Sequence, residues 1–188
     1  MKIFKRIIKY LFYTIILLSI IILFIREVAG NFYKIDNDVY RSGQLNKYNL
    51  KYYVNKYDIK TILNLRGEST KSYYLIEKEI AKQNNIDYIT YEISNRTFLD
   101  FNKTSTIINI IKNSKKPLLI HCAGGADRTS LASALYQYAV KNESINKSKE
   151  QFSIKYGHSV YFRPYVKAMD DSFDNYVKKQ KEKSEKNK

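Results

Sequence analysis

The sequence predicts an α/β domain, a central mostly parallel sheet flanked by helices, preceded by one N-terminal transmembrane helix. Three observations carry this. From residue 38 to residue 140 short apolar runs alternate with longer amphipathic ones, the pattern of strands joined by helical crossovers. Turn-forming glycines stand where the runs end, at Gly43, Gly67 and Gly124-Gly125. Ahead of all this, Tyr10 to Ile25 contains no charged residue.

The N-terminal segment is apolar all round, whereas a core helix shows a polar face. Taken from Ile7 to Ile25, a helix spans about 28 Å, close to the hydrocarbon thickness of a bilayer. Lys9 sits near the end of that stretch, where its ammonium reaches the headgroups. The run is long for the apolar part of a signal peptide. "REVAGN" after it puts charges where a cleavage site belongs, although Val28-Ala29-Gly30 has small residues. Residues 1–30 are therefore read as a membrane anchor, with a cleaved signal sequence as the alternative. Lys2, Lys5, Arg6 and Lys9 precede the span, while Arg26 and Lys34 beyond it are balanced by Glu27 and Asp36. Positive-inside places the N-terminus in the cytoplasm and the domain on the periplasmic or extracytoplasmic side.

The elements then follow in order. "DVYRSGQL" (38–45) reads as a strand and turn, and Asn46 as the cap of a helix to Tyr57 with Leu50, Tyr53, Val54 and Tyr57 on one face. "IKTILNL" (59–65) is a strand, 69–85 a helix stopped by paired Asn, 86–93 a strand and 94–100 a loop. Residues 101–113 are helical, with Ile107, Ile108, Ile110 and Ile111 expected to be buried. "KKPLLIH" (115–121) is a buried strand, and 129–140 a helix packed on the sheet. Two more helices are expected at 146–156 and 163–179, and 178–188 as a basic, disordered tail.

The formal charge of +15 looks like that of a nucleic-acid binder, but its distribution argues against one. Each chain end contributes +4, so the body keeps a dispersed +7 and shows no basic reading helix. No nucleic-acid partner is expected. One cysteine in 188 residues excludes an internal disulfide framework.

That cysteine stands in "HCAGGADRTS" (121–130), where the buried strand ends and a helix begins. The small residues Ala123, Gly124, Gly125 and Ala126 let backbone N–H groups point inward as a nest that runs into the helix N-terminus, an anion site. The same field favours a charged sulfur on Cys122. Arg128 supplies a planar fork for two phosphate oxygens; at a helix start it opposes the dipole unless an anion sits there. Thr129 is placed to donate to the sulfur, and His121 to orient the loop. The plainer reading is a tight turn beside a buried, inert cysteine.

"HCAGGADRT" resembles the His-Cys-x5-Arg-Ser/Thr signature of cysteine-based protein tyrosine phosphatases, in the dual-specificity-like branch common in bacteria. "VYRSGQL", "IKTILNLRGE" and "ALYQYAV" extend the likeness over about 38–156. The resemblance implies a tyrosine-phosphatase-like domain at 31–177. It also implies attack by Cys122 on phosphorus, a cysteinyl-phosphate intermediate, and stabilisation by Arg128 and the amides of residues 123–128, with no metal and no cofactor. The implied substrates are phosphoproteins, phosphotyrosine first, or a phospholipid or inositol phosphate headgroup, with the membrane held through residues 7–25.

Two departures stand out. Ser130 replaces a usual Gly, and no Trp is present to mark the loop that carries the general acid. Asp100 is the positional analogue of that acid, with a plain helix cap as its alternative reading. Asp127 resembles the acid proposed in phosphoinositide-directed relatives, with a charge complement to the helix N-terminus as its alternative. A binder that lost turnover, and a sulfurtransferase, are weaker readings. Arg41 and Arg66 either bind phosphate or close structural contacts, structure being favoured for Arg41. His158, in "YGHSVYFRP", reads as a surface loop residue.

Overall fold

The computed structural model describes residues 2–24 and 28–186. Helix α1 (Lys2–Leu23) has no buried residue over Ile3–Leu23. It is the one helix among the described residues long and apolar enough to cross a membrane, with a mean hydropathy of 2.1 over Ile3–Leu23. A signal sequence meets the same description.

The domain is a five-stranded sheet in the order β1-β2-β5-β3-β4, with β1 (Tyr33–Lys34), β2 (Val39–Ser42), β3 (Thr61–Asn64), β4 (Asp87–Thr90) and β5 (Leu118–His121). Only β1 runs antiparallel, pairing Tyr33 with Arg41, and no sequence signal marked it. β5 lies between β2 and β3, parallel to both, with Ile120 opposite Arg41 on one side and Leu63 on the other. The last strand thus enters between the first two parallel ones. Its carboxyl end is the point where the winding reverses, the place where open α/β sheets bind ligands.

Alternation along the strands builds two cores. Val39, Leu63, Leu118 and Ile120 face α4 (Phe101–Asn113), α5 (Asp127–Ala139) and α7 (Lys167–Lys186). Tyr40, Ile62 and Leu119 face α2 (Lys47–Tyr57) and α3 (Ser72–Gln83) through Leu50, Val54, Ile80 and Ala81. β5 is buried on both faces, so Leu118, Leu119 and Ile120 each stabilise the fold by about 1.5–3 kcal/mol. That is a firm base for the loop that follows.

Three expectations are corrected. The helix expected over 146–156 is α6 (Ile145–Lys149) followed by a separate 3-10 turn at Ile154–Tyr156, because Ser153 is extended and caps the turn with its hydroxyl. The helix expected from 163 begins as a 3-10 turn, Pro164–Val166, before α7. The tail expected to be disordered from 178 continues α7 to Lys186, where Lys and Glu are good helix formers and Lys179 bonds Glu182 one turn on at 2.9 Å.

Candidate active site

The loop 122–126 leaves β5 and enters α5, whose N-cap position, Ala126, offers no side-chain oxygen to the first helical amides. Four donors outside the loop take its carbonyls in turn. Ala123 O accepts from the Gln44 backbone N–H at 2.9 Å, and Gly124 O from Asn31 Nδ2 at 2.8 Å. Gly125 O accepts from Arg41 Nη2 at 2.8 Å, and Ala126 O from the Ser130 hydroxyl. In a planar trans peptide the N–H points opposite to the carbonyl. Turning four successive carbonyls outward therefore turns the amides of residues 124–127 inward, as an anion nest requires.

Glycine is required at one point above all. Gly125 has a φ of 68°, and a Cβ there would lie 2.5 Å from the Gly43 nitrogen, backbone that has no room to give. Cys122 sits at the base of the loop, buried and unpaired. Behind it, the fully buried His121 has Nε2 3.2 Å from Glu77 Oε1 of α3. Burial pushes the Glu77 carboxyl up. His121 beside it, with the hydrogen bond from the Tyr88 hydroxyl at 2.8 Å, outweighs that and leaves it below its ordinary range. An ionised carboxylate thus fixes the ring next to the cysteine.

Arg128 donates from Nη1 to the carbonyls of Leu65 at 3.2 Å and Ile93 at 3.3 Å, just beyond the ends of β3 and β4. These contacts engage one arm of the guanidinium. Thr129 Oγ1 is directed at the Ser42 carbonyl at 3.5 Å and ties the start of α5 to β2. Ser130, which stands where the resembling family has Gly, is a structural link. Its hydroxyl bonds the Ala126 and Gln151 carbonyls and accepts from Arg41 Nη2 at 2.9 Å. Arg41 is fully buried, also bonding Gln151 Oε1 at 2.6 Å and stacking on the Tyr156 ring at 3.8 Å, so its role is structural, as expected. Arg66 bonds Gln44 Oε1 at 2.8 Å and stacks on Tyr73.

The two candidate acids sit in different surroundings. Asp100 caps α4, its Oδ1 accepting from the Lys103 N–H at 2.9 Å, and it is exposed. Asp127 is buried and accepts from Asn95 Nδ2 at 3.0 Å, from His158 Nδ1 at 2.9 Å, and from both arms of Arg163 at 2.8 and 3.0 Å. Burial pushes its carboxyl up, but the bonds from His158 and Asn95 and the Arg163 charge hold it below the usual carboxylate range.

His158 corrects the surface-loop reading. It is buried, with Nδ1 2.9 Å from Asp127 Oδ1 and Nε2 2.9 Å from Asp170 Oδ2. Two ionised carboxylates only accept, so both ring nitrogens must carry protons. Burial opposes that charge, yet the two aspartates raise the imidazolium to about 9.

Sequence reasoning missed Asn31, Gln44, Glu77, Asn95 and Arg163. Each reaches a partner within 121–127 from more than 30 residues away, which no local pattern encodes. The one available signal was in "YGHSVYFRP", where Gly157 and Pro164 bracket a histidine and an arginine on one short loop.

Residues 30–168 match the family described as DSP-PTPase phosphatase fused to NAD+ kinase. No curated protein matches the sequence significantly. Among solved structures, TpbA from P. aeruginosa in complex with pTyr is 15% identical with a TM-score of 0.61, over 79% of this chain and 91% of that one. The core catalytic domain of the PP-IP phosphatase SIW14 from S. cerevisiae, with citrate, is 19% identical with a TM-score of 0.60, over 82% and 93%. PTPMT1 is 11% identical with a TM-score of 0.57, over 80% and 99%. These likenesses show the fold.

Proposed function

The chain belongs to the family of DSP-PTPase phosphatases, and on that premise we propose that it is a membrane-anchored phosphomonoesterase whose first substrate class is phosphotyrosine in proteins. The observation that carries the reading is the run of four outward-tied carbonyls at 123–126, with Cys122 at its base and Arg128 at its rim. In this reading the Cys122 thiolate attacks phosphorus, and the P–O bond to the leaving group breaks. The phosphoryl group passes to sulfur, its three oxygens held by loop amides and by Arg128. Water then cleaves the S–P bond and releases phosphate and the thiolate.

The proton for the leaving oxygen is assigned to Asp100. Asp127 is spoken for by four hydrogen bonds that favour its ionised form, which supports a positioning role for it. Asp100 accepts one backbone bond, stands in solvent, and lies at the end of the loop whose Asn95 contacts Asp127. The anchor reading is supported by α1, apolar and unburied. The excess of basic residues before it supports an extracytoplasmic domain.

A second substrate class, a phosphoinositide or inositol phosphate, is favoured by the Asp127-Arg128 pair and by the anchor. SIW14, a PP-IP phosphatase by its description, shares the fold.

The deciding experiment uses the purified full chain in detergent. It is expected to hydrolyse an aryl phosphate with chelator present, and Cys122→Ser is expected to abolish turnover while vanadate still protects the fold. Turnover by the Cys122→Ser chain equal to wild type would overturn the mechanism. Absence of turnover in the wild type, with vanadate bound, would make it a phospho-ligand binder.

A further inference from the structure

Outside α1, three of the four most exposed large apolar side chains lie on one segment, the fourth being Tyr48 of α2. Tyr161 is 88% exposed, Phe162 72% and Ile154 72%. The rings of Tyr161 and Phe162 meet edge to face at 5.1 Å, so the tip is a shaped aromatic pair. Isolated apolar residues on a surface need no explanation, but an aromatic cluster with cations at its edge does. Lys155 lies over the rings of Tyr33 and Tyr156 at 5.1 and 5.3 Å, and Arg163 follows Phe162 directly. Ile154, Lys155, Phe162 and Arg163 line an open, mainly apolar groove together with Tyr33 and with Ile22, next to last in α1.

The connection to α1 is short and its far end is pinned. Ala29 O accepts from the Tyr53 hydroxyl at 3.2 Å and Gly30 O from the Gly43 N–H at 2.8 Å. Asn31 Nδ2 bonds Tyr156 O at 2.9 Å as well as the loop carbonyl of Gly124. From Leu23 to Gly30 is seven residues, a reach of at most about 25 Å even fully extended. A bilayer spanned by α1 therefore lies within that reach of the catalytic loop.

We propose that the segment 154–163 is a bilayer-docking surface. Ile154, Tyr161 and Phe162 enter the interface of the leaflet from which α1 emerges, and Lys155 sits among anionic headgroups. The composition is that of an interfacial element, aromatic and aliphatic tips with a cationic flank. The same segment carries His158 and Arg163, which grip Asp127 beside the catalytic arginine, so the docked surface and the phosphate cradle form one connected unit. The proposal rests on the reading of α1 as an uncleaved anchor.

The chain has no tryptophan, so one substitution creates a unique fluorescent reporter. The full chain carrying Phe162→Trp, or Tyr161→Trp as a second site, is reconstituted into phosphatidylcholine vesicles containing phosphatidylglycerol with brominated acyl chains. Leu18→Trp reports the span, and Lys115→Trp reports the opposite end of β5. An interfacial tip buried by about 5–10 Å should lose on the order of half its emission, as the Leu18→Trp chain does, while the Lys115→Trp chain is unquenched. Quenching at Leu18→Trp with none at either tip position overturns the docking and leaves the anchor standing. No quenching at Leu18→Trp removes the anchor reading and the docking with it.

Discussion

His158 is the residue whose replacement tests the site most sharply. Its rise from an ordinary 6.5 to about 9 corresponds to about 3 kcal/mol of preference for the protonated ring in the folded state. Asp170, one of its two partners, is 31% exposed, and solvent screening there reduces the usable figure to about 2 kcal/mol. A raised folded-state value means that this contribution is fully present below pH 6.5 and is lost as pH rises through about 9. His158→Gln keeps a polar side chain but cannot carry the charge. For a domain of this size, about 2 kcal/mol lowers Tm by about 4–8 °C. Thermal unfolding of wild type and variant in the same detergent, from pH 6 to pH 10, should show that gap at pH 6 and 7 and its narrowing between pH 8 and 10. Taking the difference between the two chains removes the contribution of the many tyrosines that titrate in the same range. A gap that is the same at pH 6 and pH 10 would refute the bridging imidazolium and return His158 to a packing role.

Arg128→Lys removes the fork while keeping a charge, so kcat/KM on an aryl phosphate should fall by on the order of 10²–10³, as for the loss of a transition-state donor, with Tm little changed; steady-state kinetics decide it. Gly125→Ala forces a Cβ against the Gly43 nitrogen at a φ of 68° and should lower both Tm and activity, the latter on the order of 10² for a misplaced loop. Asp100→Asn preserves the cap of α4 but not the proton. It should slow alkyl phosphomonoesters by on the order of 10², remove the alkaline limb of their pH profile and spare activated aryl esters. Asp127→Asn should instead lower Tm and affect both ester classes alike.

Part of the sheet was legible because β3 and β5 are buried on both faces. "TILN" and "LLIH" read as short buried strands between turn residues, and α4 announces itself by spacing. The cradle was legible for the same local reason: Cys122, the small residues 123–126 and Arg128 lie within seven positions. What holds the cradle open was not legible. Asn31 reaches Gly124 across 93 residues and Arg41 reaches Gly125 across 84, contacts made only once β2 lies beside β5. Ser130 looked like a small irregularity at a position for glycine, yet its hydroxyl is a node between Arg41, Ala126 and Gln151. β1 and the 3-10 turns were missed because two- and three-residue elements leave no periodicity to detect.

The charges around Asp127 explain how an aspartate can stand next to the arginine proposed to bind phosphate without spoiling it. Two carboxylates, Asp127 and Asp170, are matched by two cations, Arg163 and the His158 imidazolium, within direct bonding distance of one another. The cluster is neutral as a unit. The field at the cradle is then set by Arg128, the inward amides and the N-terminus of α5, all of one sign toward an anion. Protonating Asp127 would weaken three of its four hydrogen bonds, those from the charged His158 and Arg163, and leave the cluster with a net positive charge. An acid that must be protonated before every turnover is poorly served by such a site. Asp100, exposed, accepts a single backbone amide and has no such network. On the proposed reading the partners divide the labour: Asp127 holds the loop still, and Asp100, free of ion pairs among the described residues, moves the proton.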